Sequence, residues 1–183
     1  MSERQQLYAD SDITVGTYTP TPLWDEVDNS SDASFITSGT HITSKTCEVG
    51  LNTGEGDPGV DTASLPWRYV VRMKQDGSPG QQLTAVISLY QSTTLIATRT
   101  GIALTTSFVS YGDNLSDAEV ASITDWTDLR VRVVTTGSVG LPRRSTVISS
   151  VYALFPIRMD RTRIRGTTIG GSVATTIYDA TLN

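Results

Sequence analysis

Few residues in this sequence could carry nucleophilic, acid–base or metal chemistry. The 183 residues include one histidine, His41, and one cysteine, Cys47. A zinc site takes three or four His, Cys or carboxylate ligands, and a Ser or Cys nucleophile needs a base that only His41 could supply. The nucleophile motif G-x-S-x-G does not occur. We therefore expect no enzymatic activity, no metal and no cofactor, and we expect His41 at the surface or at a strand edge.

Carboxylates are the remaining candidates, and they occur in two groups. A glycosidase needs a pair of them about 5 to 10 Å apart, which spacing along the chain cannot show. The first group, Asp25, Glu26 and Asp28, falls on a predicted helical turn and is typical of a solvated face. The second is the loop GEGDPGVD at 54–61, whose oxygens could hold Ca²⁺ but which lacks the EF-hand pattern. An ordinary acidic loop is the favoured interpretation.

Composition and charge limit the fold and the partners. Ser and Thr supply roughly a quarter of the chain, and threonine in particular favours strands over helices. The net charge of −5 argues against a body that binds nucleic acid. No run of 18 apolar residues predicts a membrane span, and the first residues lack the apolar stretch of a signal peptide. We expect no membrane partner.

Strict alternation of apolar and polar residues predicts most of the strands. In RYVVRMK, Tyr69, Val71 and Met73 share one face, while the arginines and the lysine share the other. A two-residue turn at Ser92 and Thr93 predicts a hairpin between two further strands. The predicted strands are 68–74, 83–91, 94–100, 129–135 and 146–157. This pattern indicates an all-β, antiparallel β-sandwich of jelly-roll type.

One or two short helices complete the predicted body. Leu23, Trp24 and Val27 form an amphipathic turn that we expect to close one end of the sandwich. Ser116 stands three residues before Glu119, the spacing of a capping box, and predicts a helix within 115–123.

The chain divides into three predicted parts. Residues 1–22 are polar and contain Pro20 and Pro22, which favour an extended N-terminal arm. Residues 23–157 form the β-sandwich. Residues 158–183 form a C-terminal arm, because glycines interrupt its pattern while large apolar residues recur along it.

The C-terminal arm carries the predicted contact residues with copies of the chain or with another partner. An acidic neighbour would attract its arginines, and an extended arm can add a strand to another subunit. Alternatives are a hairpin folded back onto its own domain, a strand with alternating exposed arginines, and contact with packaged nucleic acid. The predicted contact residues are Arg158, Arg161, Arg163, Arg165, Ile169, Val173, Ile177 and Tyr178.

Aromatic residues allow a second kind of interaction, the stacking of a sugar on an exposed ring. The aromatic candidates are Trp67, Tyr69, Tyr90, Tyr111 and Trp126. Trp67 follows Pro66 in a predicted loop and is the possible ligand-binding residue. The competing interpretation of Trp67 is a tryptophan that covers the edge of the core.

The order of motifs resembles that of β-sandwich proteins encoded among the structural genes of tailed bacteriophages. In those proteins an L-[WY]-x-x-x-D helix, here LWDEVD, precedes a D-x-x-[FY]-I-x-S strand entry, here DASFITS at 32–38. A later unit, LSDAEVASITDWTDL at 115–129, leads into an exposed strand. The resemblance covers roughly residues 12–135 and does not extend to the C-terminal arm.

The resemblance implies a virion protein, assembled in the host cytoplasm, that acts through contact area. The leading hypothesis is a capsid decoration or cement protein, a homo-oligomer with a trimer favoured, whose partners are the major capsid protein and its own copies. The alternatives are a carbohydrate- or receptor-binding module of the tail and a head–tail connector or tail-assembly protein.

Overall fold

A computed structural model describes residues 3–29, 31–53, 66–76, 81–138 and 143–157. These residues form nine strands and two short helices, which confirms the predicted antiparallel sandwich. The strands are β1 (Glu3–Thr14), β2 (Ile36–Thr37), β3 (Lys45–Leu51), β4 (Arg68–Gln75), β5 (Leu83–Gln91), β6 (Thr94–Ala103), β7 (Val109–Asn114), β8 (Leu129–Gly137) and β9 (Thr146–Ile157). The helices are α1 (Leu23–Val27) and α2 (Asp117–Ala121).

The strands follow one path, β6-β5-β8-β3-β1-β9-β4-β7, that bends into two sheets at β1. The first half of β1 pairs with β9, and its second half pairs with β3. Register shifts between Ala9 and Ser11 and between Asp12 and Thr14 accompany the change of partner, as expected where a strand bends from one sheet into another. We call β1, β2, β9, β4 and β7 the first sheet, and β1, β3, β8, β5 and β6 the second.

The core lies between the two sheets and follows the predicted alternation. On β4 the side chains of Tyr69, Val71 and Met73 are fully buried. On β8 the inward set is Leu129, Val131 and Val133, as predicted, with arginines between them. Each fully buried aliphatic side chain contributes roughly 1.5–3 kcal/mol, so the period-two pattern supplies most of the stabilising burial.

Strand β9 lies in the middle of the first sheet, as its apolar character on both faces predicts. It pairs with β4 on one side and with β1 and β2 on the other. The pairing with β1 continues to Ile157. Strand β9 is therefore paired along its described length, up to the residue before the predicted C-terminal arm.

The N-terminal segment differs from the predicted arm. Residues 3–14 are β1, the strand that both sheets share, and Leu7 and Ala9 belong to the core. Tyr18 is also buried, and its hydroxyl is 3.1 Å from the Thr135 hydroxyl. The strand has too few apolar residues to be recognised by periodicity; backbone pairing with β9 and β3 holds it in place.

Both predicted helices are present, and each has a different N-terminal cap. Ser116 and Glu119 form the predicted capping box of α2. Helix α1 follows Pro22 and has no side-chain cap of its own. Instead the Asp12 carboxylate of β1 accepts hydrogen bonds from the backbone N–H groups of Leu23 and Trp24 at 2.9–3.0 Å, which satisfies donors that a helix start leaves unpaired.

Candidate binding cleft

The two ends of the strand path, β6 and β7, leave an open edge on the sandwich. Among the described residues, β6 pairs only with β5 and β7 pairs only with β4. Residues 104–108 connect them along the chain, yet no backbone ladder joins them, because they belong to different sheets. In a closed barrel β6 and β7 would pair with each other. Here they do not pair, and a gap remains between the two sheets at this edge.

A cleft of about 350 Å³ occupies this gap. The first sheet contributes Tyr69 of β4 and, on β7, its cross-strand partner Asp113 and the partner of Val71, Tyr111. The second sheet contributes residues of β5 and β6. The full lining is Tyr69, Ile87, Arg99, Thr100, Ile102, Ser110, Tyr111, Gly112 and Asp113. The cleft thus combines aliphatic, aromatic and hydroxyl-bearing residues.

Arg99 joins the two edges across one end of the cleft. Its Nε donates to Asp113 at 2.6 Å, and its two Nη atoms donate to Glu119 at 3.0 and 3.2 Å. The same Nη atoms also donate to the carbonyl oxygens of Thr98 and Asn114, at 3.0 and 3.1 Å. All five guanidinium N–H donors therefore have acceptors. We call this group the Arg99 clasp.

The clasp sets the charge state of its carboxylate partner. Hydrogen bonds from Arg99, together with those from Ser116, lower the pKa of Glu119 to about 2 from an ordinary value of 4.5. The pKa of Arg99 is raised in turn, chiefly by its hydrogen bonds to Glu119. Both groups stay ionised across the physiological range, so the clasp is a permanent ion pair.

Acid pH is expected to weaken the clasp. The folded state holds Glu119 ionised at pH values where the unfolded chain is protonated, so this stabilisation is present above about pH 4.5 and disappears as the pH falls towards 2. The shift in pKa corresponds to roughly 3 kcal/mol at most. Urea unfolding of the wild type and Glu119→Gln between pH 2.5 and 6 should show a smaller loss of stability with acid in the variant.

The matched control is Asp117→Asn on the same helix, because Asp117 is exposed and makes no hydrogen bond or ion pair with any described side chain. The free energy of unfolding of Asp117→Asn should fall with acid as much as that of the wild type. If the free energy of unfolding fell equally with acid in the wild type and in Glu119→Gln, Glu119 would not be the group whose low pKa stabilises the fold.

Tyr69 has an unusual hydroxyl. The residue is fully buried, and its Oη has no hydrogen-bond partner. Burial raises the pKa of Tyr69 to about 12, so the phenol is neutral. By contrast, the Tyr111 hydroxyl accepts from the Thr105 N–H at 3.2 Å and donates to the Ala103 carbonyl at 3.3 Å. Tyr69 is therefore the tyrosine of the cleft that has an unused hydroxyl.

The sequence-predicted contact residues fall in different places. The predicted arm residues between Arg158 and Tyr178 lie outside the described residues, as does the acidic loop at 54–61. Tyr69 and Tyr111, two of the aromatic candidates, come together in the cleft. Sequence reasoning missed Arg99 and Asp113, which are brought together only by the placement of β6 beside β7.

Trp67 is placed in the core and has no exposed ring. It is 1 % exposed, and its ring centroid lies 4.5 Å from that of Trp126 and 4.8 Å from that of Phe155. The indole therefore offers no free face for a sugar to stack on. Its position agrees with the competing interpretation, a tryptophan at the edge of the core.

The histidine and the cysteine are buried. His41 forms an isolated bridge with Arg144 and is 3 % exposed, so it lies at a strand-like pairing and not at the surface. Burial lowers the pKa of His41, while its Nδ1 lies 2.8 Å from the Thr43 carbonyl. Burial raises the pKa of Cys47.

Among the described residues, no group of three His, Cys, Asp or Glu side chains could hold a metal ion, and no helix is long and apolar enough to cross a membrane.

Comparison with known proteins gave structural neighbours only. No protein-family model matches the chain, and a search of curated proteins found no match. One similar structure is the carbohydrate-binding module TmCBM61 in complex with β-1,4-galactotriose, at 8 % identity and a TM-score of 0.42 over 84 % of this chain and 88 % of that one. Another is a family 30 carbohydrate-binding module of a Clostridium thermocellum cellulosomal cellulase, at 12 % identity and a TM-score of 0.41 over 82 % and 96 % of the two chains.

A structure of infectious bursal disease virus, Gt strain, is also similar, at 16 % identity and a TM-score of 0.35 over 86 % of this chain and 33 % of that one. The neighbours therefore include β-sandwich carbohydrate-binding modules and a virus protein. At these identities and TM-scores the likeness assigns neither a family nor a ligand. What can be stated of this chain is its fold, an antiparallel β-sandwich with one open edge.

Proposed function

We propose that this chain is a structural protein of a tailed-bacteriophage virion, a capsid decoration protein that binds the outer shell and bridges neighbouring subunits through its C-terminal arm. The observation that carries the proposal is that residues 3–157 form the sandwich among themselves, with β9 paired to β1 as far as Ile157. The described ladder contains no residue from 158–183, and we propose that this segment makes contacts with other subunits.

The body offers free edges for such contacts. In the part of the chain that the structure describes, β6 and β7 each have one side without a strand neighbour. An unpaired edge can accept an added strand from another chain. The chain has a net charge of −5. At this edge, Asp113 of β7 and Asp117 and Glu119 of α2 are accompanied by Arg99 and by Arg68 and Arg72 of the paired strand β4. The arm has four arginines between 158 and 165. Opposite charge would steer the arm of one copy towards the body of the next.

Removal of residues 158–183 is expected to leave the sandwich folded and to abolish binding to the shell. The reason is that the arm supplies contacts between subunits and none of the described ladder. Mass photometry would compare the full chain and residues 1–157, each mixed with capsids stripped of accessory proteins. Far-ultraviolet circular dichroism and thermal unfolding would verify that both proteins fold.

Two arm variants would separate charge from apolar contact. Replacing Arg158, Arg161, Arg163 and Arg165 by Gln should weaken loading most at low salt, because long-range attraction is screened at high salt. Replacing Ile169, Val173 and Ile177 by Ser should weaken loading at every salt concentration. Full loading of capsids by residues 1–157 would refute the proposed role of the arm.

A further inference from the structure

Strand β4 carries three cations on the outer surface of the first sheet. Arg68, Arg72 and Lys74 lie on the opposite side of β4 from Tyr69 and the other core residues of this strand. We call these three residues the basic face. Strands β7 and β9 flank it, and the residues directly opposite on those strands are uncharged: Asn114 and Ser110 on β7, and Leu154, Ser150 and Val147 on β9.

Arg68 is the cation of the basic face that has no partner. Its guanidinium forms no hydrogen bond or ion pair with any residue that the structure describes, and its Nε is buried. The Nε lies over Gly112 of β7, where a Cβ would be only 3.2 Å away. The Nη groups are accessible, because Nε is the only atom of this side chain that is both buried and without an acceptor. Guanidinium groups bind carboxylates strongly, so Arg68 has donors to offer to an acidic partner.

The other two cations are held in place and leave the basic face positively charged. Arg72 donates to both carboxylate oxygens of Asp32, from Nε at 2.7 Å and from Nη2 at 2.6 Å. The Lys74 Nζ lies 4.6 Å from the centroid of the Phe108 ring, a contact that orients the ammonium group without neutralising it. Among the described residues, Asp32 is therefore the one carboxylate paired with these three cations.

Helix α1 presents the opposite charge elsewhere on the same chain. Leu23 and Val27 are its buried residues, whereas Asp25, Glu26 and Asp28 are exposed or half-buried. We call these three carboxylates the acidic helix face. The hydrogen bonds to Glu26 and Asp28 come from neutral side chains, and no ion pair in the described part of the chain includes any of the three. The acidic helix face is thus a negative surface without cations of its own.

We propose that the basic face of one copy binds the acidic helix face of a second copy. A net charge of −5 would oppose a nucleic acid at the basic face, whereas another copy of the chain supplies the carboxylates. Because the two surfaces are different, the contact repeats from copy to copy and generates a ring or a filament. This inference rests on the proposed role in so far as copies must meet on the virion. It names surfaces of the body and uses no residue from 158 to 183.

The size of the first sheet makes this a weak contact. Four strands about 4.8 Å apart, each followed for seven residues of about 3.3 Å, outline roughly 400 Å². This is about half of the roughly 800 Å² that each partner buries in a standard interface. We therefore expect a dissociation constant of about 0.1–1 mM. Salt should weaken the contact, since it screens attraction between exposed charges.

The first experiment is sedimentation velocity of the full chain at concentrations up to about 1 mM, in about 50 mM and about 500 mM NaCl. The wild type should associate at low salt, with a dissociation constant at least about 5-fold higher at high salt. Arg68→Gln combined with Lys74→Gln should weaken the association at least about 5-fold at low salt, because two cations are removed. The control, Arg130→Glu in the second sheet, changes the net charge by the same amount and should associate like the wild type. Thermal unfolding would verify that each variant is folded.

Charge reversal tests whether the two surfaces meet. One variant carries Arg68→Glu and Lys74→Glu, and the other carries Asp25→Lys and Asp28→Lys. Each variant alone has two surfaces of like charge and should be monomeric at about 1 mM. In an equimolar mixture the acidified β4 of one variant meets the basic helix of the other, so the association should return to within about 2-fold of the wild type. Mixing would not restore an association that had been lost through misfolding.

The C-terminal arm is separated from this contact by repeating both measurements with Arg158, Arg161, Arg163 and Arg165 replaced by Gln. The association should depend on the basic face as before. Capsid loading that does not need the arm would leave this result unchanged, and loss of self-association would leave arm-dependent loading unchanged. The two proposals can therefore fail independently.

Several outcomes would overturn the inference. One is a wild type that stays monomeric at about 1 mM in low salt. Unchanged association in the Gln variant, or no association in the mixture of reversed variants, would place the contact elsewhere. Loss of association when only the arm is neutralised would assign the contact to the arm. Binding of the basic face to poly-glutamate without self-association would assign it to a different acidic partner.

Discussion

Trp67→Ala is expected to lower the free energy of unfolding by about 3–5 kcal/mol, the range for removing a large aromatic side chain from a core. The ring is 1 % exposed and packs between Trp126 and Phe155, at centroid distances of 4.5 and 4.8 Å. These three rings close the core near the start of β4, so the cavity left by alanine would not collapse easily. Equilibrium unfolding in urea measures the loss, with an unchanged m-value showing that the unfolded state is comparable.

Two further variants test the cause of that loss. Trp67→Phe should cost less, because it keeps an aromatic ring and removes an indole N–H that has no partner. Trp24→Ala, on α1, should cost about 1 kcal/mol, because Trp24 is only half-buried. A loss below 1 kcal/mol for Trp67→Ala would show that the ring is not part of the core. It would then be a candidate for binding a ligand at the surface.

Arg99→Met is expected to have the second largest effect, lowering the free energy of unfolding by about 2 kcal/mol. The substitution keeps much of the side-chain volume but removes five donors, and it leaves the Asp113 and Glu119 carboxylates without their shared cation. The side chain is 27 % exposed, so solvent screening reduces the effect below that of a fully buried pair.

The damage should be local, since the clasp joins β6 to β7 and α2. Hydrogen exchange should show the loss of protection in β6 and β7 before the other strands. The control is Arg130→Met. The Arg130 guanidinium lies 2.9 Å from the carboxylate of Asp128, only two residues earlier, so this ion pair joins no separate elements. The free energy of unfolding should fall by less than about 0.5 kcal/mol in this variant. Equal losses in the two variants would show that the clasp does not hold the open edge.

The local elements and their inward faces could be predicted from the residues alone. The alternation in RYVVRMK placed Tyr69, Val71 and Met73 in the core, because side chains on a strand point to opposite faces in turn. The capping box placed α2, since Ser116 and Glu119 interact across three residues of the same chain segment. Strand β5 begins and ends at the predicted residues, and β9 begins at the predicted residue.

Which distant segments come into contact could not be predicted from the local pattern and is seen in the folded chain. Strand β1 is largely polar, and its membership of both sheets comes from pairing with β9 and β3, which are far away along the chain. Trp67 follows a proline and reads as a loop residue, but Trp126 and Phe155 cover it. The cleft exists because β6 and β7 are neighbours in sequence yet end different sheets. Periodicity reports which way a side chain points, whereas an open edge depends on strand order, which is set by contacts that no local pattern contains.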